Sequence, residues 1–429
     1  MADPVATPSL ADLTQASWKV GVLGFGGPAG QIALMHRVFV DEKRWIDEPR
    51  YLHALSYCTL LPGPEAQQLA TYVGWLLHGV RGGIIAGGLF VIPGVVVMLG
   101  LSWLYAAQGQ TPLVAAMFYG VKAAVVALVV EALIRIGRRA LKGWTDLAIA
   151  AAAFAALTLF GAPFPVVVLS AALIGFLRGA NAPTGDVPKS DMPSARHALM
   201  TAVIWAGLWL GPLAALWLSL GPQHLLTRVA ALFSTLATVT FGGAYAALAY
   251  LQQQAVSAQG WLTPAQMIDG LGLAETTPGP LVLVNQHVAF MAGWQAPGGG
   301  MGLALAAGLI ASWSTFAPSF LWIFAGAPYA ERLRQNPRAK AALAAVTAAV
   351  LGVIANLAVW FAVHALFKQS RPWHAAWGHV LDLPVLGSLD PYALGLSILA
   401  GAALIRWKVN VIAVVLACAA AGAVIRLWL

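Results

Sequence analysis

Two short strings recur in this chain at one fixed interval. Phe25-Gly26-Gly27-Pro28 and Pro62-Gly63-Pro64 return as Phe241-Gly242-Gly243 and Pro278-Gly279-Pro280; residues 25 and 241, 62 and 278, and Trp45 and Trp261 are each 216 apart. All four strings lie in apolar sequence, where glycine and proline interrupt membrane helices. Each interruption starts a new helix whose first N–H groups have no intrahelical partner and carry roughly half a positive charge. Such ends hold phosphate- and sulfate-like groups, so the chemistry expected is recognition of a small oxyanion. The expected ligands are Gly26, Gly27, Pro28, Pro62, Gly63, Pro64, Gly242, Gly243 and Gly279 at the breaks. Gln31, Gln68, Tyr245, Thr276, Thr277 and Gln286 are hydrogen-bond donors close by in sequence.

Ionisable residues inside apolar segments are costly and functional by default. Lys19, six residues before Phe25, and Lys122, deep in an apolar run, are expected to supply counter-charge to the anion; snorkelling of Lys19 and pairing of Lys122 with a neighbouring helix are the alternatives. Lys122 and Glu131 are nine residues apart, so they cannot pair within one helix. Glu65, Glu131 and Glu275 are candidate proton carriers for coupling, and Glu65 also suits a plain helix-start role. No Walker A string, metal-binding His/Glu spacing or nucleophile elbow is present, and the two cysteines are too few for a metal site. We therefore expect no catalytic residues, no metal, no cofactor and no enzyme.

The elements that position these residues follow from composition. Of 429 residues, 60% are hydrophobic and 9% charged, against roughly 25% charged in soluble domains. Continuous apolar runs such as Gly83 to Tyr105 and Ala339 to Phe367 match the ~20 residues of a spanning helix and exclude a barrel. The expected fold is an all-α polytopic membrane protein with two inverted-topology repeats, roughly nine spans and about four re-entrant or broken helix hairpins. Repeat 1 covers residues 11–178, a linker loop and connecting span cover 179–222, and repeat 2 covers 223–429. The spans expected are Gly83 to Tyr105, Pro112 to Ile134, Thr145 to Phe160, Pro163 to Leu177, Ala198 to Leu220, Met301 to Phe324, Ala339 to Phe367, Pro391 to Ile405 and Val409 to Arg426.

Matched loops differ in charge. His36 to Arg50 holds four Lys or Arg and Gln252 to Gln266 none; Ala107 to Thr111 holds none and Glu331 to Lys340 four. The alternation predicts opposite insertion of the two repeats. It also assigns the net charge of +8 to orientation, so no nucleic-acid partner is expected. The first ten residues lack a signal-peptide pattern, so no cleaved leader is expected. The sequence allows a homodimer without specifying one.

The chain resembles the chromate ion transporter family, in its full-length two-repeat bacterial form. Lys19-Val20-Gly21 leading into Phe25-Gly26-Gly27-Pro28, Leu61-Pro62-Gly63-Pro64-Glu65-Ala66, Phe241-Gly242-Gly243-Ala244-Tyr245, Gly260-Trp261-Leu262, and Leu273-Ala274-Glu275-Thr276-Thr277-Pro278-Gly279-Pro280 carry the likeness. The resemblance implies export of chromate from the bacterial cytoplasm through the inner membrane, a resistance role, and recognition of sulfate as an isostere. From the residues alone we expect a secondary, proton-coupled oxyanion carrier. A passive oxyanion channel, or a carrier of sulfate or another oxyanion, is the alternative.

Overall fold

A computed structural model of the chain describes residues 8–179, 195–241, 243–329 and 336–428. Helices α1 (Leu10–Leu23) and α2 (Gly27–His36) flank the first break. A π-helical turn (Arg37–Glu42) and α3 (Glu48–Cys58) lead to the second break, which opens α4 (Glu65–Gln108). The first half ends with α5 (Pro112–Ala140), α6 (Trp144–Phe160) and α7 (Phe164–Arg178), and α8 (Ala195–Leu220) connects to the second. There α9 (Leu225–Val239) and α10 (Ala244–Leu251) flank the third break, a second π turn (Gln252–Ala258) precedes α11 (Pro264–Thr276), and a 3-10 turn (Leu281–Leu283) follows the fourth break into α12 (Val284–Gln295). The chain closes with α13 (Met301–Gly326), α14 (Pro337–Leu366), a hairpin of β1 (Ser370–His374) and β2 (Val380–Pro384), α15 (Pro391–Ile405) and α16 (Val411–Trp428).

Among the described residues, six helices are long and apolar enough to cross a membrane: α4, α5, α8 from Ala198, α13, α14 and α16. Helices α6, α7 and α15 have 17, 15 and 15 residues. At ~1.5 Å per residue they reach about 22–26 Å, less than a core of ~30 Å, so length alone does not make them the spans expected from sequence. The antiparallel β-hairpin departs from the all-α expectation. It lies beside a cavity of ≈ 420 Å³, and Asp382 on β2 pairs with His364 at 3.4 Å. Many large apolar side chains are exposed, including Leu169, Leu199, Val203 and Leu218. Only 6% of the apolar window of α8 is buried. Exposure on this scale means contact with lipid.

The chain divides into two compact units, each drawing on both halves of the sequence. The first comprises residues 1–101, 184–244 and 277–336, the second 102–183, 245–276 and 337–429.

In the first unit the arm that opens α4 folds back at His78 and Gly79, whose φ/ψ leave the helix. The returning segment packs so closely that a Cβ on Gly74 would run into the Gly82 carbonyl oxygen, and one on Gly87 into the Thr71 hydroxyl. The arm and the span expected from sequence are thus two helical segments joined by a sharp turn at His78 and Gly79. Helix α12 does the same against α13, where a Cβ on Gly293 would meet Ala304 Cα. On the lipid side Trp205 stacks on Phe320 and Trp209 packs against Trp322.

In the second unit α5 and α14 form the centre, lined by Val125, Val129, Val350 and Ile354. Gly422 on α16 meets Ala116 and Gly120 of α5, while Gly175 on α7 meets Ala341 and Ala345 of α14. Residues 341 and 345 are the sequence counterparts of 116 and 120, so the two contacts are reciprocal. The π turns repeat as well: Trp45 donates its N–H to Phe39 O at 2.9 Å, and Trp261 to Ala255 O at 2.8 Å.

Gly74→Val should lower the melting temperature in detergent by overpacking the α4 turnback, at a cost of about 1–3 kcal/mol. Gly88→Ala, whose Cβ meets nothing within 4 Å, should leave it unchanged; scanning fluorimetry of the two variants checks this.

Candidate functional site

All four breaks belong to the first unit, and two backbone hydrogen bonds tie them in pairs. Gly63 donates its N–H to Thr240 O at 2.9 Å, and Gly279 donates to Gly24 O at 3.0 Å. Each bond joins a Pro-Gly-Pro break of one half to the Phe-Gly-Gly break of the other, and each is the sequence counterpart of its fellow. The glycines are required by backbone shape: φ is +84° at Gly26, +69° at Gly27, +104° at Gly63, +93° at Gly243 and +88° at Gly279. Only glycine adopts such values without strain. Pro28 lies in the first turn of α2, whose Gly26 cap offers no side-chain hydrogen bond. The turn after Pro280 is likewise uncapped by its cap side chain. Those helix starts therefore keep N–H groups without a capping side chain. Gly242 lies outside the described residues.

The glutamines expected to donate to an anion are engaged otherwise. Gln31 is fully buried, and its Nε2 donates to Gly24 O at 3.1 Å and to Gly279 O at 2.6 Å. Gln68 Nε2 donates to Pro62 O at 2.7 Å, and Gln286 Nε2 to Val95 O at 3.2 Å. Carbonyl oxygens only accept, so these partners fix which end of each amide faces them. Gln31 and Gln68 brace the broken backbone, and Gln286 ties the segment after the fourth break to α4. Pro62 and Pro64 flank the braced turn. Glu65 is half-buried at the first position of α4, where a carboxylate suits the positive helix end. Thr277 is buried beside the fourth break.

Among the described residues the buried carboxylates, Asp269, Glu275 and Asp390, lie in the second unit. Tyr245, two residues after Gly243, donates its hydroxyl to Glu275 Oε1 at 2.7 Å, and both are buried. Glu131 pairs with Arg135 at 3.1 Å one turn along α5, within Coulombic reach of Tyr245 and Glu275. Lys122 lies 3.7 Å from Asp269 Oδ2, which also accepts the Tyr105 hydroxyl at 2.8 Å. Asp269 is the partner that the sequence reading missed. A lone carboxylate in the apolar string Met267-Ile268-Asp269-Gly270-Leu271 is the same signal that singled out Lys122. Thr276 returns its hydroxyl to Leu273 O at 2.9 Å, a bond within its own helix. Lys19, in the first unit, pairs with Glu42 at 3.4 Å with about half its side chain exposed, the geometry of a snorkelling lysine. Among the described residues no group of three or more His, Cys, Asp or Glu side chains could hold a metal.

A multi-pass helical membrane protein with braced helix breaks and buried charge pairs is the class these features define. The chain belongs to the chromate transporter family, whose model, described as Chromate transporter, matches residues 11–176 and 227–423. It is 33% identical to the chromate transport protein of Pseudomonas aeruginosa over 342 residues, covering 78% of this chain and 77% of that one. It is 29% identical to the chromate transport protein of Cupriavidus metallidurans, covering 93% of both chains. It is 29% identical to the probable chromate transport protein of Synechococcus elongatus, covering 82% of this chain and 84% of that one. No solved structure matches the chain.

Gln31→Leu should destabilise the protein by about 1–3 kcal/mol, because the Gly279 carbonyl loses its Gln31 donor while Gly24 O keeps the Gly279 N–H. Thermal unfolding in detergent reads the loss, and Gln31→Glu, which offers only acceptors when ionised, should be no better.

Proposed function

We propose that this chain is a secondary carrier that exports chromate across the bacterial inner membrane, coupled to protons, with the oxyanion held at the helix starts of the broken segments. The observation that carries the reading is the reciprocal pair of bonds from Gly63 to Thr240 and from Gly279 to Gly24. They gather the breaks of both halves two by two, with the starts of α2 and of the turn after Pro280 lacking a capping side chain. A tetrahedral oxyanion takes N–H donors of this kind without needing a full cation. The names of the relatives in Pseudomonas aeruginosa and Cupriavidus metallidurans make chromate the first substrate to test.

Inverted repeats, joined by residues 179–222, are the architecture proposed for alternating access. In its support, α6 runs alongside α14 in the same direction: Ala150 meets Gly352 and Thr158 receives a hydrogen bond from Asn356. A three-residue loop joins α5 to α6, and the reading takes α5 and its counterpart α14 to run opposite ways. The reversed charge bias of matched loops agrees. In this reading the short broken arms are re-entrant hairpins. Glu275, hydrogen-bonded by Tyr245, is the favoured proton carrier, with Glu65 and Glu131 as the other acidic candidates. Lys122, held by Asp269, supplies positive charge within the second unit.

Chromate flux into inside-out vesicles tests the reading: uphill accumulation driven by an imposed pH gradient supports a carrier, and flux that only follows the chromate gradient supports a channel. Glu275→Gln and Lys122→Ala should each reduce the driven flux at least about tenfold, with unchanged amounts of protein in the membrane. Driven uptake at the parental rate in both variants would remove these two residues from the mechanism.

A further inference from the structure

Lys122 and Asp269 form an ion pair whose two members differ in access. The Lys122 side chain is 25% exposed and that of Asp269 only 5%. Their separation of 3.7 Å is beyond hydrogen-bond length, so charge rather than a hydrogen bond holds the lysine. Asp269 Oδ2 also accepts the Tyr105 hydroxyl at 2.8 Å. Asp269 Oδ1 is buried and has no hydrogen-bond partner among the described residues.

The titratable groups acting on this carboxylate are Lys122 from α5 and Tyr105 from the end of α4. Glu131 and Arg135, further along α5, pair with each other, and Glu275 on the same helix as Asp269 is bonded by Tyr245. The other elements packed against α11 are the second π turn, α14 and α16. The π turn has no titratable residue. Arg338, Lys340 and His364 on α14, and Cys418 and Arg426 on α16, do not act on Asp269.

A lysine held loosely on its buried side and open on the other can exchange one negative partner for another. An oxyanion offers it charge-assisted hydrogen bonds where Asp269 offers a long contact. Once Lys122 turns to the anion, Asp269 is a buried charge without compensation, and one of its oxygens is bare. A carboxylate in that position neutralises instead. A proton from water bonds to Oδ1 and the carboxylate becomes a neutral acid, while Lys122 stays protonated. When the anion leaves, the proton returns to water and the ion pair re-forms. We propose that Asp269 yields Lys122 to the transported oxyanion by taking up a proton, so that anion and proton bind cooperatively at this pair. By linkage the proton favours the anion as much as the anion favours the proton. The proposal rests on the carrier reading above and adds Asp269 to its acidic candidates.

The test is calorimetric titration of the full chain in detergent with chromate, at a pH where free chromate is already the dianion. Titrations in two buffers of different ionisation heat give the protons taken up on binding. The parent should take up about one proton per anion bound. Asp269→Asn should take up close to none while binding chromate at least as tightly, since nothing then competes for Lys122. Asp269→Glu should restore the uptake, which a merely structural role would not require. Tyr105→Phe serves if Asp269→Asn does not fold. It keeps the carboxylate but removes a donor that favours its charged form, so uptake should persist to higher pH, and an unchanged pH profile would count against the proposal. Proton uptake that is absent from the parent, or that Asp269→Asn leaves unchanged, would overturn the proposal with the carrier reading intact. A parent that neither binds chromate nor moves it in vesicles would remove the carrier reading, and this proposal with it.

Discussion

Hydrocarbon offers no hydrogen bonds, so a helix broken inside a bilayer must have its loose backbone groups satisfied by protein. That constraint governs the first unit of this chain. The Gly24 carbonyl receives both the Gly279 N–H and the Gln31 amide, and Gln31 reaches the Gly279 carbonyl as well. The Gly63 N–H goes to Thr240 O, and Gln68 holds the Pro62 carbonyl. Carbonyls are braced from within while the helix starts keep their N–H groups.

Duplication supplies the means. A break in one half is closed by the break of the other kind from the other half, and the counterpart bond closes the second pair. The same exchange occurs in the second unit, where Gly422 seats against α5 and Gly175 against α14. Reciprocal contacts of this kind are what a two-fold relation between equivalent segments produces. Glycine at both positions permits the backbones to touch, so the packing is set by shape more than by polar bonds.

Much of this was legible in the sequence because glycine and proline mark positions of special backbone geometry. The four strings at one interval located every break, and the positive φ at Gly63 and Gly279 explains why those residues stand there. The partnership of the breaks was not legible, since which break meets which depends on how the halves pack. For the same reason Gln31, Gln68 and Gln286 looked like free donors: an amide near a break reads identically whether it faces a ligand or a carbonyl. Asp269 could have been found, because a carboxylate amid apolar residues is conspicuous. The β-hairpin of residues 370–384 escaped notice because a short polar connection between spans carries little alternation to read.

The closure of each break by the opposite half has a consequence for biosynthesis. A ribosome adding ~5–20 residues per second needs about 10–35 s to travel from Gly63 to Thr240. Throughout that interval the amide of Gly63 has emerged and its acceptor has not been made. The nascent first half must therefore be sheltered by water or by the insertion machinery until its mate arrives, and the two halves can complete their fold only together.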